Sequence, residues 1–179
     1  MSGGQPGPPG SRRRSWGWHR LEPIWARRIV ADAAVRPGQH VVDLGAGSGA
    51  LTRPLVDAGA RVLAVELNVG RAERLRSMFA DDPVTVLEID LANFRLPHKP
   101  FQVVANPPFG GANALVRELT APDSALVSAD IVLQLGLVIG LVNGSDNRRF
   151  GFRMGRRLPR HAFVPQPRVD LAVLRITRR

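Results

Sequence analysis

The chain has 179 residues, 44% of them hydrophobic, which suits one folded domain with its own core. It has no cysteine, which excludes disulfides and thiolate metal sites, and its four histidines (His19, His40, His98 and His161) have no metal-ligand spacing, so no metal is expected. The formal charge is +10, carried almost wholly by arginine with Lys99 the single lysine, and that many planar bidentate donors suit a phosphate-bearing partner.

Residues 1–15 are mostly Gly, Pro, Ser and Arg and have little to bury, so a disordered basic arm is expected there, with residues 16–179 as the folded domain. The arm has no apolar segment of the kind a secretory signal needs. No run approaches the ~20 apolar residues of a membrane span. The most apolar stretch, 131–142, is broken by Gln134, Gly136 and Gly140. A cytoplasmic monomer is the expectation.

Glu22 to Val35 reads as a first helix, with Ile24, Trp25, Ile29 and Ala33 on one face, and Arg36-Pro37-Gly38 ends it. Strands and helices then alternate. Strands are expected at 41–44, 61–67, 84–89, 101–105 and 129–135, and helices at 50–58, 69–80, 112–119 and from 135 to about 142. Two last strands, 150–158 and 169–176, are expected to pair antiparallel at one edge. Such alternation implies an α/β fold: a mostly parallel, seven-stranded, doubly wound sheet with an antiparallel strand at its edge.

The glycines of Gly45-x-Gly47-x-Gly49 stand between the first of these strands and the helix after it. Missing side chains there let a ligand approach the backbone closely. Glu66 ends the next strand, 21 residues after Gly45, where an acid can hold ribose hydroxyls. That much fits NAD and S-adenosylmethionine equally. The GxGxG spacing, rather than GxGxxG, favours S-adenosylmethionine, as does Asp90, a carboxylate at the end of the third strand. Glu66 read as a helix N-terminal acid and Asp90 read as a turn cap are the plainer alternatives.

The fourth strand runs into Asn106-Pro107-Pro108-Phe109. An amide oxygen and a main-chain carbonyl on a proline-stiffened backbone can both accept N–H bonds from an exocyclic amine. Phe109 can stack on the ring that carries the amine.

These pieces, with Phe163-Val164-Pro165-Gln166-Pro167-Arg168-Val169-Asp170 following, occur in the order seen in the ribosomal RNA adenine N6-methyltransferases, which the chain resembles from about Trp16 to Arg175. That family includes the small-subunit dimethyladenosine transferases and the Erm methyltransferases of macrolide resistance. The segment Trp16-Gly17-Trp18-His19-Arg20-Leu21 is similar to the short actinobacterial Erm form. The resemblance implies a Rossmann-like class I S-adenosylmethionine-dependent methyltransferase. Asn106, Pro107 and Phe109 would be catalytic. His19, Leu21, Gly45, Gly47, Glu66, Leu67, Asp90, Leu91 and Asn106 would bind the cofactor. For His19, a packing or capping role stays open.

Phe109 and Phe163 would face the target base, with a core or loop anchor as the other role open to Phe163. Relatives usually continue into a C-terminal helical domain, whereas this chain stops at Arg179. Arg12, Arg13 and Arg14 in the arm, and Arg148, Arg149, Arg153, Arg156, Arg157 and Arg160, are therefore the candidates for gripping RNA. The implied substrate is 23S rRNA, naked or in an assembly intermediate, with resistance to macrolides, lincosamides and streptogramins as the outcome. The alternatives are a small-subunit rRNA dimethyltransferase, another RNA or DNA adenine methyltransferase, or a non-catalytic RNA-binding assembly protein.

Overall fold

A computed structural model describes residues 19–108 and 110–179. The arm, with Arg12, Arg13 and Arg14, and the ring of Phe109 lie outside the described residues. In chain order the elements are β1 (Arg20–Leu21), α1 (Pro23–Asp32), β2 (His40–Leu44), α2 (Thr52–Asp57), β3 (Arg61–Glu66), α3 (Val69–Met78), β4 (Val84–Glu88) and β5 (Phe101–Ala105). After them come α4 (Ala112–Leu119), β6 (Leu126–Gln134), α5 (Leu135–Gly144), β7 (Phe150–Leu158), a 3₁₀ turn (Arg160–Ala162), β8 (Phe163–Val164) and β9 (Leu171–Arg178).

Seven strands form one sheet in the order β4-β3-β2-β5-β6-β9-β7. Five of them run parallel from β4 to β6, and β9 is antiparallel to both of its neighbours. The last two strands of that order pair antiparallel at one end of the sheet, as expected. The reversed strand is the later one in the chain, inserted one place in from the edge that β7 forms. Central parallel strands are covered on both faces, so they read as unbroken apolar runs rather than alternating ones. β5 shows this directly: Phe101, Gln102, Val103, Val104 and Ala105 are all buried. Gln102 is tolerated because its Nε2 donates to the Ala33 carbonyl at 2.9 Å.

Two apolar layers follow from this arrangement. One packs α1 and α2 with Val41, Val62, Val104 and Val132. The other packs α4 and α5 with Val42, Val103, Ile131 and Leu174. Each fully buried Leu, Ile or Phe in these layers contributes roughly 1.5–3 kcal/mol relative to exposure.

The two-residue ribbon of β1 and β8 was absent from the sequence reading. It pairs Arg20 with Val164 and Leu21 with Phe163. This fastens the start of the described chain to the Phe-x-Pro segment. Of the two roles open to Phe163, its placement matches the core anchor and not a face toward the target base: the residue is 1% exposed and packs in the core with Leu21, Leu158 and Ala162, because strand pairing with Leu21 points both side chains inward.

Among the described residues no helix is long and apolar enough to cross a membrane.

Candidate active site

The strand order reverses between β2 and β5, because β3 and β4 lie to one side of β2 and β5 to the other. In such sheets ligands bind beyond the carboxyl ends of the strands at that reversal. Here the loop after β2 and the turn after β5 meet. Gly45 has φ +77°, and a Cβ placed on it would stand 3.2 Å from Pro108 Cδ and 3.4 Å from Pro107 Cα. Any larger residue at 45 would be strained and would push the Asn-Pro-Pro turn outward.

The glycine loop is anchored from the neighbouring strand. The Gly45 and Ala46 N–H groups donate to the Val65 carbonyl at 2.8 and 3.0 Å. The Gly47 N–H donates to Glu66 Oε2, and the Asn68 N–H to Glu66 Oε1, each at 2.8 Å. Arg71 Nη1 stands 3.8 Å from the same carboxylate. Glu66 thus holds the loop and the entry to α3, which Asn68 caps by accepting the Arg71 N–H at 3.0 Å. Both carboxylate oxygens keep a second lone pair.

Asn106 is half-buried, and its Nδ2 donates to the His19 carbonyl at 3.0 Å. That bond fixes the amide flip and leaves Oδ1 as the acceptor end. His19 is held in turn: its Nδ1–H donates to the Pro165 carbonyl at 2.7 Å. The Phe-x-Pro segment therefore acts at second hand, by positioning His19, which positions Asn106.

His19, Leu21, Gly45, Gly47 and Asn106 all line one half-open crevice of about 20 Å³. Leu67 (62% exposed), exposed Asp90 and half-buried Leu91 stand further along the strand ends, outside the crevice lining. Asp90 accepts the Ala92 N–H at 2.9 Å and so does cap its turn.

Asp43 lines the same crevice and was missed as a site residue. Its signal was in plain view, as a carboxylate inside the apolar run Val41-Val42-Asp43-Leu44. It is 1% exposed and accepts a bond from Thr52 Oγ1 at 2.8 Å. Burial pushes its carboxyl up to about 7; the Thr52 bond opposes this and the nearby Glu66 charge adds to it. Because the folded state holds the proton more tightly than the unfolded one, this group's contribution is full at low pH. It is lost as pH rises from the unfolded value near 3.8 through about 7. Asp43→Asn, which keeps an acceptor for Thr52, is expected to flatten that decline. Melting temperatures of both forms between those pH values check it, and parallel curves would count against it.

The basic cluster divides. Arg156 is already engaged within the fold: it forms a bidentate pair with Asp32 at 2.7 and 2.9 Å, and that hydrogen bond is the main reason the Asp32 carboxyl is held below its ordinary range. Arg160 pairs with Asp170 at 3.0 Å, and Arg149 donates to the Pro122 carbonyl. Arg148, Arg153 and Arg157 are exposed and have no ion pair among the described residues. Among those residues no group of three acids or histidines is arranged to hold a metal ion.

A family model described as "Ribosomal RNA adenine dimethylase" matches residues 21–179. An rRNA adenine N-6-methyltransferase of Corynebacterium diphtheriae is 33% identical over 83% of this chain and 62% of its own length. An rRNA methyltransferase of Streptomyces thermotolerans is 36% identical over 86% of this chain and 54% of its own. This chain thus spans less than two thirds of the length of either relative. The crystal structure of the 23S rRNA methyltransferase ErmE superposes with a TM-score of 0.79 at 29% identity, over 89% of this chain and 69% of that one. Relatives at 33% identity also include the mycinamicin-resistance protein MyrB of Micromonospora griseorubida (84% of this chain, 50% of that protein) and the small-subunit methyltransferase A of Leifsonia xyli subsp. xyli (80% and 58%). With its glycine loop and Asn-Pro-Pro turn joined at the sheet's reversal point, the chain belongs to the ribosomal RNA adenine dimethylase family.

Proposed function

We propose that the chain is a 23S rRNA adenine N6-methyltransferase that uses S-adenosylmethionine and confers resistance to macrolide-type antibiotics. The observation that carries this reading is the contact between the Gly45 loop and the Asn106-Pro107-Pro108 turn around one crevice. A methyl donor and an acceptor of amine N–H bonds can then share a single site.

The residues present fit such a donor. The glycine at 45 lets the Asn-Pro-Pro turn close against the loop beside the crevice, and Asp43, Glu66 and Asp90 place carboxylates along the strand ends. The crevice would take the methyl-bearing end, and the strip of Leu67, Asp90 and Leu91 the ribose and adenine. When bound, S-adenosylmethionine supplies an electrophilic methyl on a sulfonium. Adenine N6 is a poor nucleophile because its lone pair is delocalised into the ring. Asn106 Oδ1 and the Pro107 carbonyl would accept its two N–H bonds, favouring a pyramidal nitrogen with its lone pair aimed along the transfer axis. The proton leaves after transfer, so no strong general base is required. The target base must leave its stack to reach this site, at a cost of a few kcal/mol. Phe109 would offset part of that by stacking, worth ~1–3 kcal/mol.

The likeness to ErmE and MyrB supports 23S rRNA as the target and resistance as the outcome. The equal identity to a small-subunit enzyme supports 16S rRNA as the second reading. The basic arm with Arg148, Arg153 and Arg157 would contact phosphates, in a cytoplasmic monomer. Mass mapping of both rRNAs from cells with and without this gene separates the two. A new N6-methyladenine in 23S rRNA with a rise in macrolide tolerance is expected. Methylation confined to 16S rRNA would transfer the assignment to the second reading. Failure to bind S-adenosylmethionine would leave an RNA-binding protein without catalysis.

A further inference from the structure

At the opposite end of the sheet, the first residues of β2, β3, β4 and β5 border a groove of about 770 Å³. Strands of five or six residues, rising ~3.3 Å each, put it roughly 17–20 Å from the crevice at their carboxyl ends. Its volume falls within the ~300–1,000 Å³ range of ligand sites. Its rim is basic: Arg61 and Lys99 stand on it with His40 and His98. The acid among the lining residues is Asp82, which is already paired with Arg53 at 3.0 Å. Arg61 and Lys99 have no ion pair among the described residues.

Between the rim groups the walls are largely apolar. Pro97 and Pro100 bracket His98 and Lys99, with half-buried Leu63 of β3 and exposed Thr85 of β4 along the floor. The imidazole of His98 and the proline rings beside it offer planes for a base to stack on. Cations at the rim then meet the phosphates on either side of that base.

We propose that this groove is a second RNA-contact site. It seats an unpaired nucleotide with its flanking phosphates on Arg61 and Lys99, while a distant adenine of the same RNA occupies the crevice. The proposal rests on the reading that the partner is RNA, but not on methyl transfer.

The test uses the full chain and a short, unstructured, fluorescein-labelled RNA, with affinity read by anisotropy across a salt series. The Arg61→Ala/Lys99→Ala double variant removes two phosphate contacts. It is expected to reduce the slope of log affinity against log salt by about 1.4, at ~0.7 per contact on a single strand. Thr85→Glu places an anion among the exposed strand residues without touching the rim, and is expected to weaken binding severalfold. S-adenosylmethionine affinity by calorimetry and melting temperature should match the native chain in both variants. Unchanged slope and affinity in the two variants would overturn the proposal, leaving the groove to an acidic protein partner or to none. If the groove variants lose RNA while the native chain methylates no rRNA, the groove stands and the assigned activity falls. Methylation with undiminished RNA binding in the variants gives the reverse.

Discussion

Asn106→Ala is expected to abolish methyl transfer to rRNA, by ~10²–10³-fold or more, while the protein stays folded and still binds S-adenosylmethionine. The substitution removes the acceptor oxygen proposed to meet adenine N6. That interaction strengthens as the nitrogen becomes pyramidal, so its loss falls on kcat and kcat/KM together rather than on KM alone. It also removes the donor to the His19 carbonyl, so some loosening of the β1–β8 ribbon is expected. Asn106→Asp separates the two effects. It keeps acceptor oxygens but loses the Nδ2 donor and sets a carboxylate against the His19 carbonyl. Activity of Asn106→Asp above that of Asn106→Ala would locate the effect at the reacting amine. Single-turnover methylation with both variants measures this. A kcat in Asn106→Ala equal to that of the native chain would remove Asn106 from the chemistry.

The elements that frame this site were legible because each carries its own local signal. The strand Phe101–Ala105, the helix Ala112–Leu119 and the strand Phe150–Leu158 stand where the pattern put them, bounded by prolines, glycines or a change of period. Most of the other element ends shift by one to three residues, and two of those shifts have a clear cause. β6 begins at Leu126 rather than Ala129, because its pairing with β5 reaches back to Phe101 across a register shift that no periodicity announces. α2 begins at Thr52 rather than Ala50, since residues 50 and 51 are still in the turn that closes the glycine loop. The joining of the Gly45 loop to the Asn106 turn was foreseeable from topology alone, as both follow the central parallel strands.

What the sequence did not disclose depends on partners far away along the chain. Nothing near Phe163 says that Leu21 will pair with it, so the motif alone leaves a base contact and a core role both open, and the fold buries the ring. Nothing near Arg156 says that Asp32, 124 residues earlier, will neutralise it. Local composition reports how many cations a segment has. Only the fold reports which of them are already matched.

The same point sets the largest stability effect. Asp130 is 2% exposed in the middle of β6, facing β9 across Arg175. Arg175 donates to Asp130 Oδ1 through Nε at 2.8 Å and Nη2 at 2.6 Å, and Nη2 also reaches the Asp32 carbonyl at 2.6 Å. Arg156 then closes the chain of charges on the Asp32 carboxylate. Burial holds the Asp130 carboxyl above its ordinary range, and the hydrogen bond and charge of Arg175 offset only part of that. Arg175→Ala removes those bonds and leaves a buried carboxylate without compensation, which costs ~3–5 kcal/mol. In a domain of this size that is about 10 °C or more in Tm. The sign of its pH dependence follows. With Arg175 gone, Asp130 is held neutral in the fold to a higher pH than in the unfolded chain, so the variant is least unstable in acid and loses further ground as pH rises. Asp130→Asn combined with Arg175→Met removes both charges and is expected to recover most of the loss. Urea titrations of the native chain and both variants at pH 5 and 8, with m unchanged, measure each step. An Arg175→Ala chain as stable as the native one at pH 8 would show that water reaches Asp130 and solvates it there.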